Sequence, residues 1–304
     1  MEGLPVFKIM KIKSAKGTYC VEFDQSHFEN LNSFIGEGAY FLMDSKLVDL
    51  YPDVLNKVIR DPNTILIDAF ENSKEITNVL PLIEILIEKG IKRGHTLVVI
   101  GGGIIQDITC FISSVLFRGV NWKFIPTTLL SQADSCIGSK SSINLGENKN
   151  ILGTFNPPEE ILICPMFLQT LDRQELLSGI GEIIKVHAID GINSYDEASA
   201  SYDDMLKDPL VLLKFIERAL DIKKKFIEID EFDQGVRNIF NYGHSFGHAI
   251  ESATKFAIPH GIAVTIGMDM ATRIASWRNI LPEEHYHRMH SVLEKNYKSY
   301  KSTK

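Results

Sequence analysis

The chain has 304 residues, which suggests about two domains of roughly 150 residues each, and its formal net charge is -7. Hydrophobic residues make up 44% and charged residues 23%, values that exclude a disordered, a collagen-like or a disulfide-stabilised small protein. The acidic balance argues against a nucleic-acid-binding protein. Because we find no run of about 18 apolar residues and no secretory leader, we expect no membrane span and a cytoplasmic protein.

The first half of the sequence alternates short apolar runs with segments of helical periodicity. Strand–helix alternation is typical of a parallel sheet covered by helices, and such sheets bind their ligands beyond the carboxyl ends of the strands. The predicted strands are 39–43, 64–68, 96–103 and 122–130, and the predicted helices are 80–91 and 104–117.

From about residue 165, apolar residues recur at helical spacing and we find no strand pattern. The predicted helices are 174–189, 208–229, 241–257 and 260–277. The sequence therefore predicts an α/β domain over residues 1–160 and an all-helical domain over residues 161–304. The last ten residues, KNYKSYKSTK, are polar and basic and predict no compact ending.

A run of glycines, Gly101, Gly102 and Gly103, lies at a predicted strand-to-helix junction. Glycine lets the backbone approach a phosphate closely, and a helix N-terminus offers unpaired N–H groups. The run indicates a nucleotide-binding turn, and the alternative is a tight turn without a ligand. It is not the G-x-G-x-x-G motif of dinucleotide-binding proteins, because Gln106 stands at the position of the last glycine.

Histidines are concentrated in the second half. His244 and His248 are four residues apart, so both imidazoles lie on one face of a helix, and His260 follows. Histidines together with a carboxylate are the usual ligands of catalytic zinc, and Glu182 and Glu251 are candidate carboxylates. The alternative is a hydrogen-bonded group of core histidines.

Basic residues stand in apolar or glycine-rich segments of both halves. If they converged, they would clamp a phosphate or a carboxylate, and the alternative for each of them is an ordinary solvated side chain. These residues are Arg118, Lys140, Lys149, Lys185, Lys223 and Arg237.

Together these segments resemble the dehydroquinate synthase family of sugar-phosphate cyclases. The resemblance extends from about residue 40 to about residue 270, with the segments in the same order and at similar spacing. The matching segments are VVIGGGIIQDITCFISSVLFRG, PTTLLSQADSCIGSK, NKNILGTFNPP, LQTLDRQELLSGIGEIIK and GVRNIFNYGHSFGHAIE followed by HGIAVTIGM.

The resemblance implies a Rossmann-like N-terminal domain that binds NAD, a C-terminal helical domain that binds Zn²⁺ or Co²⁺, an active site between them, and a homodimer. It also implies a phosphate-eliminating carbon–oxygen lyase of the shikimate pathway. The substrate would be the seven-carbon sugar acid phosphate DAHP, and the products 3-dehydroquinate and phosphate. The implied steps are a transient oxidation by NAD, phosphate elimination, reduction, and an intramolecular aldol closure.

The resemblance also implies a role for each matching residue. The metal ligands would be Glu182, His244 and His260, so His248 would face the substrate and act in catalysis. The other catalytic residues would be Asp134, Lys140, Lys185, Lys223, Arg237 and Asn241, and the substrate would also contact Arg118, Lys149 and Asn150. NAD would contact Asp44, Glu71, Lys74, Gly102, Gly103, Asp107, Thr127 and Thr128.

Some positions depart from the family pattern. Gln106 and Ser139 replace glycines, residues 145–148 differ, and Ile262 replaces a glutamate. Dehydroquinate synthases also continue beyond this length, so we expect a helical domain that is shortened at its C-terminus. These differences leave three alternatives open: a cyclase for another sugar phosphate, a catalytically silent NAD-binding homologue, and a metal-dependent polyol dehydrogenase.

Overall fold

The structure, a computed structural model, describes residues 8–24, 28–29 and 31–300. The chain divides into two compact units, Met1–Thr170 and Leu171–Lys304. The expectation about a leader concerns the N-terminus, of which residues 1–7 lie outside the described residues, and so do residues 301–304 of the basic tail. Within the described ranges, no helix is long and apolar enough to cross a membrane.

The first unit alternates strands with helices. Its strands are β1 (Lys8–Ser14), β2 (Gly17–Phe23), β3 (Tyr40–Asp44), β4 (Thr64–Ile67), β5 (Thr96–Gly101), β6 (Asn121–Pro126), β7 (Ile143–Leu145), β8 (Asn148–Leu152) and β9 (Glu160–Ile163). Its α-helices are α1 (Leu31–Ile35), α2 (Leu47–Leu50), α3 (Asn56–Ile59), α4 (Ile76–Glu88) and α5 (Gly103–Val115). Short 3-10 segments are Glu71–Lys74, Leu116–Arg118 and Pro165–Thr170, and Ser131–Ser135 is a π-helical turn.

The strands of this unit form a mostly parallel sheet. Among the described residues, seven strands follow the order β1-β2-β9-β6-β5-β3-β4, and β7 and β8 form a separate hairpin. Only the β1–β2 pair of the large sheet is antiparallel. In the central strand β5, residues Leu97–Ile100 are completely buried, as expected for a parallel sheet covered on both faces. The predicted α/β architecture is confirmed.

The four predicted strands correspond to β3, β4, β5 and β6, and the two predicted helices to α4 and α5. The prediction missed β1, β2, β7, β8 and β9, and also the short helices α1, α2 and α3. In β1 the buried residues Met10 and Ile12 alternate with exposed lysines, so its apolar signal is weak, and β9 has only four residues. Because β9 pairs with β2 and β6, residues 161–170 belong to the first unit and not to the helical one.

The second unit is helical throughout its described residues, as predicted. Its helices are α6 (Arg173–Asp190), α7 (Ile192–Ala200), α8 (Tyr202–Met205), α9 (Pro209–Ile227), α10 (His244–Ala253), α11 (His260–Trp277) and α12 (Glu283–Tyr297), with 3-10 segments at Val236–Asn241 and Lys298–Tyr300. Asp172 and Asp208 cap α6 and α9, because their side chains accept hydrogen bonds from the first turn. The helix predicted over 241–257 is shorter, since residues before His244 belong to a 3-10 segment and a turn.

The expectation that the chain has no compact ending is wrong for residues 295–297, which end helix α12. Asn296 is completely buried, and its amide donates hydrogen bonds to Leu177 O and Thr265 Oγ1, both at 3.1 Å. Its side-chain oxygen accepts a hydrogen bond from the Tyr202 hydroxyl at 2.9 Å. A surface helix can carry lysines on its solvent side and bury the residues on its other side. Here Asn296 and Tyr297 face inward, so the basic composition of the segment did not predict the packed end of α12.

Candidate functional site

Glycines let the helices of the second unit approach one another closely. A β-carbon on Gly181 of α6 would stand 2.4 Å from the carbonyl oxygen of Gly261 on α11. Gly181 precedes Glu182, and Gly261 follows His260. This contact therefore brings the carboxylate of one helix to the imidazole of the other, with Glu182 Oε1 3.7 Å from His260 Nε2.

Two further glycines place α10 against α11. A β-carbon on Gly267 would stand 2.1 Å from Gly243 O, and one on Gly243 would stand 2.6 Å from Met268 Cγ. Gly243 also has a φ of +80°, a left-handed conformation that glycine adopts without strain, at the start of α10. The next residue is His244, so this packing fixes where its imidazole enters the site.

Glu182, His244 and His260 lie together. One candidate ligand atom from each residue lies within 4.8 Å of the other two. The imidazole rings of His244 and His260 have their centroids 5.3 Å apart. Two imidazoles and a carboxylate are donors that suit Zn²⁺, so the residues that the sequence predicted as metal ligands fit that ion.

Burial and neighbouring groups shift the pKa values of His244 and His260 in opposite directions. Burial lowers the pKa of His244 to about 4, and the nearby Lys185 charge acts in the same direction. His244 is therefore neutral near pH 7, as a metal ligand must be. Burial acts to lower the pKa of His260, but a hydrogen bond to Glu251 and the charge of Glu182 outweigh it and raise the pKa.

Glu251 contacts the cluster from α10. Its Oε1 lies 3.2 Å from His260 Nδ1. Burial is the largest single influence and acts to raise the pKa of Glu251, but the hydrogen bond with His260 and the neighbouring histidines together outweigh it, so the pKa is lowered and the group is a carboxylate near neutral pH. Glu251 was a candidate metal ligand by sequence, and here it is the hydrogen-bond partner of a predicted ligand.

Lys185 lies one helical turn after Glu182 on α6, and the two side chains form an ion pair. Both are almost completely buried. A buried charge is stable only when it is paired, so each of these groups depends on the other. The predicted catalytic lysine is thus in direct contact with a predicted metal ligand.

The remaining predicted residues of the second unit lie at different depths. His248 is exposed on α10, and its ring centroid is 5.4 Å from that of His244. Lys223 on α9 and Arg237 are buried, and the Arg237 Nη1 donates a hydrogen bond to Glu231 O at 2.5 Å. Asn241 is exposed at the end of its 3-10 segment. Of these residues, His248 therefore lies next to the group formed by Glu182, His244 and His260, because its ring is close to the ring of His244.

In the first unit, Lys74 is the centre of a polar cluster. Its Nζ lies 2.9 Å from Asp107 Oδ2 and donates a hydrogen bond to Asn150 Oδ1 at 2.8 Å. Glu71, at the start of the same 3-10 segment, has its Oε1 3.9 Å from that Nζ. Three residues predicted to contact NAD and one predicted to contact substrate are thus brought together.

Asn144, a residue that the sequence analysis did not select, completes this cluster. Its amide donates a hydrogen bond to Glu71 Oε1 at 2.9 Å, and its oxygen accepts one from the Asn150 backbone at 2.8 Å. The residue is buried on the short strand β7. A single polar residue in a short hairpin has no periodicity that would mark it, and its contact with Asn150 is visible only in the structure.

The glycine turn and its neighbours gather at the carboxyl ends of β3, β5 and β6, which are adjacent strands. A β-carbon on Gly102 would stand 2.9 Å from Thr128 Cγ2, and Thr127 N donates a hydrogen bond to Gly101 O at 3.0 Å. Asp44 ends β3, and burial raises its pKa. Gly103 is the first residue of the long helix α5, so the N-terminus of this helix lies at the carboxyl edge of the sheet. Nucleotides commonly bind at such a place.

Asp134 lies on the π-helical turn Ser131–Ser135, which Gln106 ties to α5. The Gln106 amide donates a hydrogen bond to Ser135 O at 2.6 Å, and the Ser135 hydroxyl donates one back to Gln106 Oε1 at 2.7 Å. The Gln106 side chain therefore has a defined partner beside a predicted catalytic residue.

Two predicted substrate contacts, and one residue next to a predicted catalytic lysine, occupy backbone conformations that are rare for side chains other than glycine. Arg118 has a φ of +65°, and Asn150 has a φ of +56°. Ser139, directly before the exposed Lys140, has a φ of +68°. Such conformations cost about 1–3 kcal/mol each and cluster at functional sites. The exposed Lys149 precedes Asn150 on β8.

Comparison with known proteins gives a consistent result. The 3-dehydroquinate synthase N-terminal family model matches residues 64–178, and the 3-dehydroquinate synthase C-terminal model matches residues 179–303. The chain is 35% identical to the 3-dehydroquinate synthase of Alkaliphilus metalliredigens over 88% of this chain and 72% of that protein. It is 31% identical to that of Thermoanaerobacter pseudethanolicus over 91% of this chain and 81% of that protein.

Solved structures of related synthases have the same fold. A 2-deoxy-scyllo-inosose synthase matches with a TM-score of 0.82 and 25% identity, over 97% of this chain and 84% of that one. The 2-epi-5-epi-valiolone synthase from Streptomyces hygroscopicus, solved with NAD⁺ and Zn²⁺ bound, matches with a TM-score of 0.80 and 27% identity, over 91% of this chain and 80% of that one.

Proposed function

The chain belongs to the 3-dehydroquinate synthase family, and from this membership we propose that it converts DAHP into 3-dehydroquinate and phosphate. The observation that carries the proposal is the gathering of Glu182, His244 and His260, whose ligand atoms lie within 4.8 Å of one another. A carbon–oxygen lyase of this family needs a redox cofactor and a metal, and the described residues offer a suitable site for each.

We propose that Glu182, His244 and His260 hold Zn²⁺ or Co²⁺. Bound there, the metal supplies a Lewis acid that polarises the hydroxyl to be oxidised. The protein contributes a neutral His244 and a carboxylate at Glu182 whose charge is balanced by Lys185. The 2-epi-5-epi-valiolone synthase with bound Zn²⁺ supports this choice of ion.

We propose that the first unit binds NAD, which accepts and returns the hydride of the reaction. The glycine turn would hold the pyrophosphate through backbone N–H groups, and Asp44 would accept a hydrogen bond from a ribose hydroxyl. Lys74, fixed by Asp107 and Asn150, presents one cation to the same ligand. The remaining predicted contacts are Glu71, Gly102, Gly103, Thr127 and Thr128.

For the substrate, we propose that basic residues hold its phosphate and carboxylate, so that elimination and ring closure occur in a fixed geometry. Asp134 and His248 would move protons at the reacting carbons. The proposed anion-binding and orienting residues are Arg118, Lys140, Lys149, Asn150, Lys185, Lys223, Arg237 and Asn241.

We also propose that the protein is a cytoplasmic homodimer, as the family resemblance implies. Light scattering of the purified protein tests the oligomeric state. A monomer across the working concentration range would overturn this part of the proposal and leave the proposed reaction standing.

The test of the reaction combines DAHP, NAD and Zn²⁺ or Co²⁺ with the purified protein. We expect release of phosphate and 3-dehydroquinate in equal amounts, with no net NADH, because a cyclase returns its hydride. The His244→Ala variant is the matched control and should release no phosphate.

Other outcomes identify the alternatives. The solved synthases of 2-deoxy-scyllo-inosose and 2-epi-5-epi-valiolone give a specific reason to assay other sugar phosphates. Turnover of sedoheptulose 7-phosphate or glucose 6-phosphate, with none of DAHP, would overturn the proposed substrate. Net NADH accumulation would indicate a polyol dehydrogenase, and a folded protein that binds NAD but turns over none of these compounds would be a silent homologue.

A further inference from the structure

One face of α10 carries three polar side chains at regular spacing. His244, His248 and Glu251 are separated by four and three residues, which places them on the same side of the helix. The neighbouring helix α11 begins at His260, whose Nδ1 lies 3.2 Å from Glu251 Oε1. The Glu251 side chain is only 12% exposed, so water competes little for its hydrogen bonds.

We propose that Glu251 is a positioning residue for the metal centre: it accepts a hydrogen bond from His260 Nδ1–H and so directs the Nε2 lone pair toward the metal. This inference rests on the metal centre of the proposed function. It assigns a role to a residue outside the predicted ligand set of Glu182, His244 and His260.

The chemistry of imidazole explains this role of Glu251. A neutral ring carries one hydrogen, and the nitrogen without hydrogen is the metal ligand. A carboxylate can only accept, so its contact at Nδ1 selects the tautomer whose Nε2 is free to ligate. In His260 this Nε2 is the atom that lies 3.7 Å from Glu182 Oε1. Both ring nitrogens thus have a defined and different partner.

The competing interpretation makes Glu251 a ligand of a second ion. Ligand atoms of His248, Glu251 and His260 also lie within 4.8 Å of one another. If ions bound both nitrogens of His260 at once, however, the ring would have to lose both hydrogens and become an imidazolate. The hydrogen bond between Glu251 and His260 requires no such change, and we therefore favour the positioning role.

The test compares Glu251→Gln with Glu251→Ala. Both remove the same charge, but only glutamine keeps a side-chain oxygen that can accept the hydrogen bond from Nδ1–H. Removing such an outer partner typically weakens metal binding about 10–100-fold. In a competition titration with a chelating dye, we expect the alanine variant to lose Zn²⁺ affinity in this range and the glutamine variant to lose clearly less.

A matched control removes a carboxylate from a different histidine. Glu294 Oε2 lies 3.7 Å from His290 Nε2 on α12, and Glu294→Gln should leave the Zn²⁺ affinity unchanged. A second measurement reports the tautomer directly. In two-bond ¹H–¹⁵N spectra of the metal-free protein, neutral His260 should carry its hydrogen on Nδ1 in the wild type and in Glu251→Gln, and should become a mixture in Glu251→Ala.

Each remaining outcome has a definite meaning. Equal affinity losses in both Glu251 variants would show an effect of charge alone and overturn the positioning role. Two ions per wild-type chain, falling to one in Glu251→Ala, would establish the second site instead. A wild-type protein that binds no Zn²⁺ would refute the metal centre itself, whereas normal binding in the wild type and in both Glu251 variants would refute only this inference.

Discussion

Gly261 lies against the backbone of Ser178 so closely that a β-carbon at residue 261 would stand 1.9 Å from the Ser178 carbonyl oxygen. The contact is reinforced by a hydrogen bond of 3.0 Å from Gly261 N to Ser178 Oγ. Because the two residues belong to α11 and α6, this approach fixes the separation of the helices that carry His260 and Glu182. The proximity of Glu182 and His260 thus depends on a backbone contact that no side chain larger than hydrogen allows.

We therefore expect Gly261→Ala to push α6 and α11 apart. The clash is with backbone, which cannot move aside as a side chain can, so the free energy of unfolding should fall by about 3 kcal/mol or more. Urea denaturation measures this change, and a Zn²⁺ titration should show weakened binding. Gly94→Ala is the control, because a β-carbon there meets nothing within 4 Å, and an unchanged stability of Gly261→Ala would contradict the packing argument.

The two histidines of α10 should respond differently to substitution. We expect His244→Ala to lose bound Zn²⁺. Removing a residue that only hydrogen-bonds a ligand weakens metal binding about 10–100-fold, and the loss on removing a ligand itself should be larger. His248→Ala should retain Zn²⁺ and lose turnover, by at least about 100-fold if it moves a proton. Metal content after dialysis and the rate of phosphate release distinguish the two effects. Loss of Zn²⁺ in both variants would instead favour ligation by the residues spaced four apart on α10.

The sequence could predict this site only in part. The spacing of His244 and His248 indicated a pair of ligands on one helix, whereas the group of Glu182, His244 and His260 comes from three helices, and His248 belongs to a second group that shares His260. Residues on different helices have no characteristic spacing, so the family resemblance, and not periodicity, selected the set. The glycines Gly181 and Gly261 that create the contact were visible in the sequence, but their partners were not.

The fold was predictable where apolar residues are contiguous and less so elsewhere. Strands β3 to β6 are short apolar runs, of which β3 and β5 are almost entirely buried, and they were predicted, whereas β1 is an edge strand with alternating lysines and was missed. The last helix, α12, was missed for a related reason. Its buried contacts depend on single residues, such as Asn296, within a segment whose overall composition is polar.

Asn296 makes the anchoring of α12 testable. Replacing it with alanine would leave Leu177 O, the Thr265 hydroxyl and the Tyr202 hydroxyl without this partner in a buried environment. We expect the free energy of unfolding to fall by about 2–3 kcal/mol in urea denaturation. Ser299→Ala, at an exposed position of the same terminal segment, should change it little. Equal stability of Asn296→Ala and the wild type would show that α12 is not anchored here.

Asp107 gives the first unit a predictable pH dependence. Burial raises its pKa from 3.8 to about 6, although Lys74 acts to lower it. Between about pH 4 and pH 6 the folded state therefore binds more protons at Asp107 than the unfolded state does. The contribution of Asp107 to the free energy of unfolding is complete below pH 4 and is lost as the pH rises through 6. Asp107→Asn cannot titrate, and we expect its free energy of unfolding to fall less steeply than that of the wild type across this range. Urea denaturation at a series of pH values measures both slopes, and parallel slopes would place the pKa of Asp107 near its ordinary value.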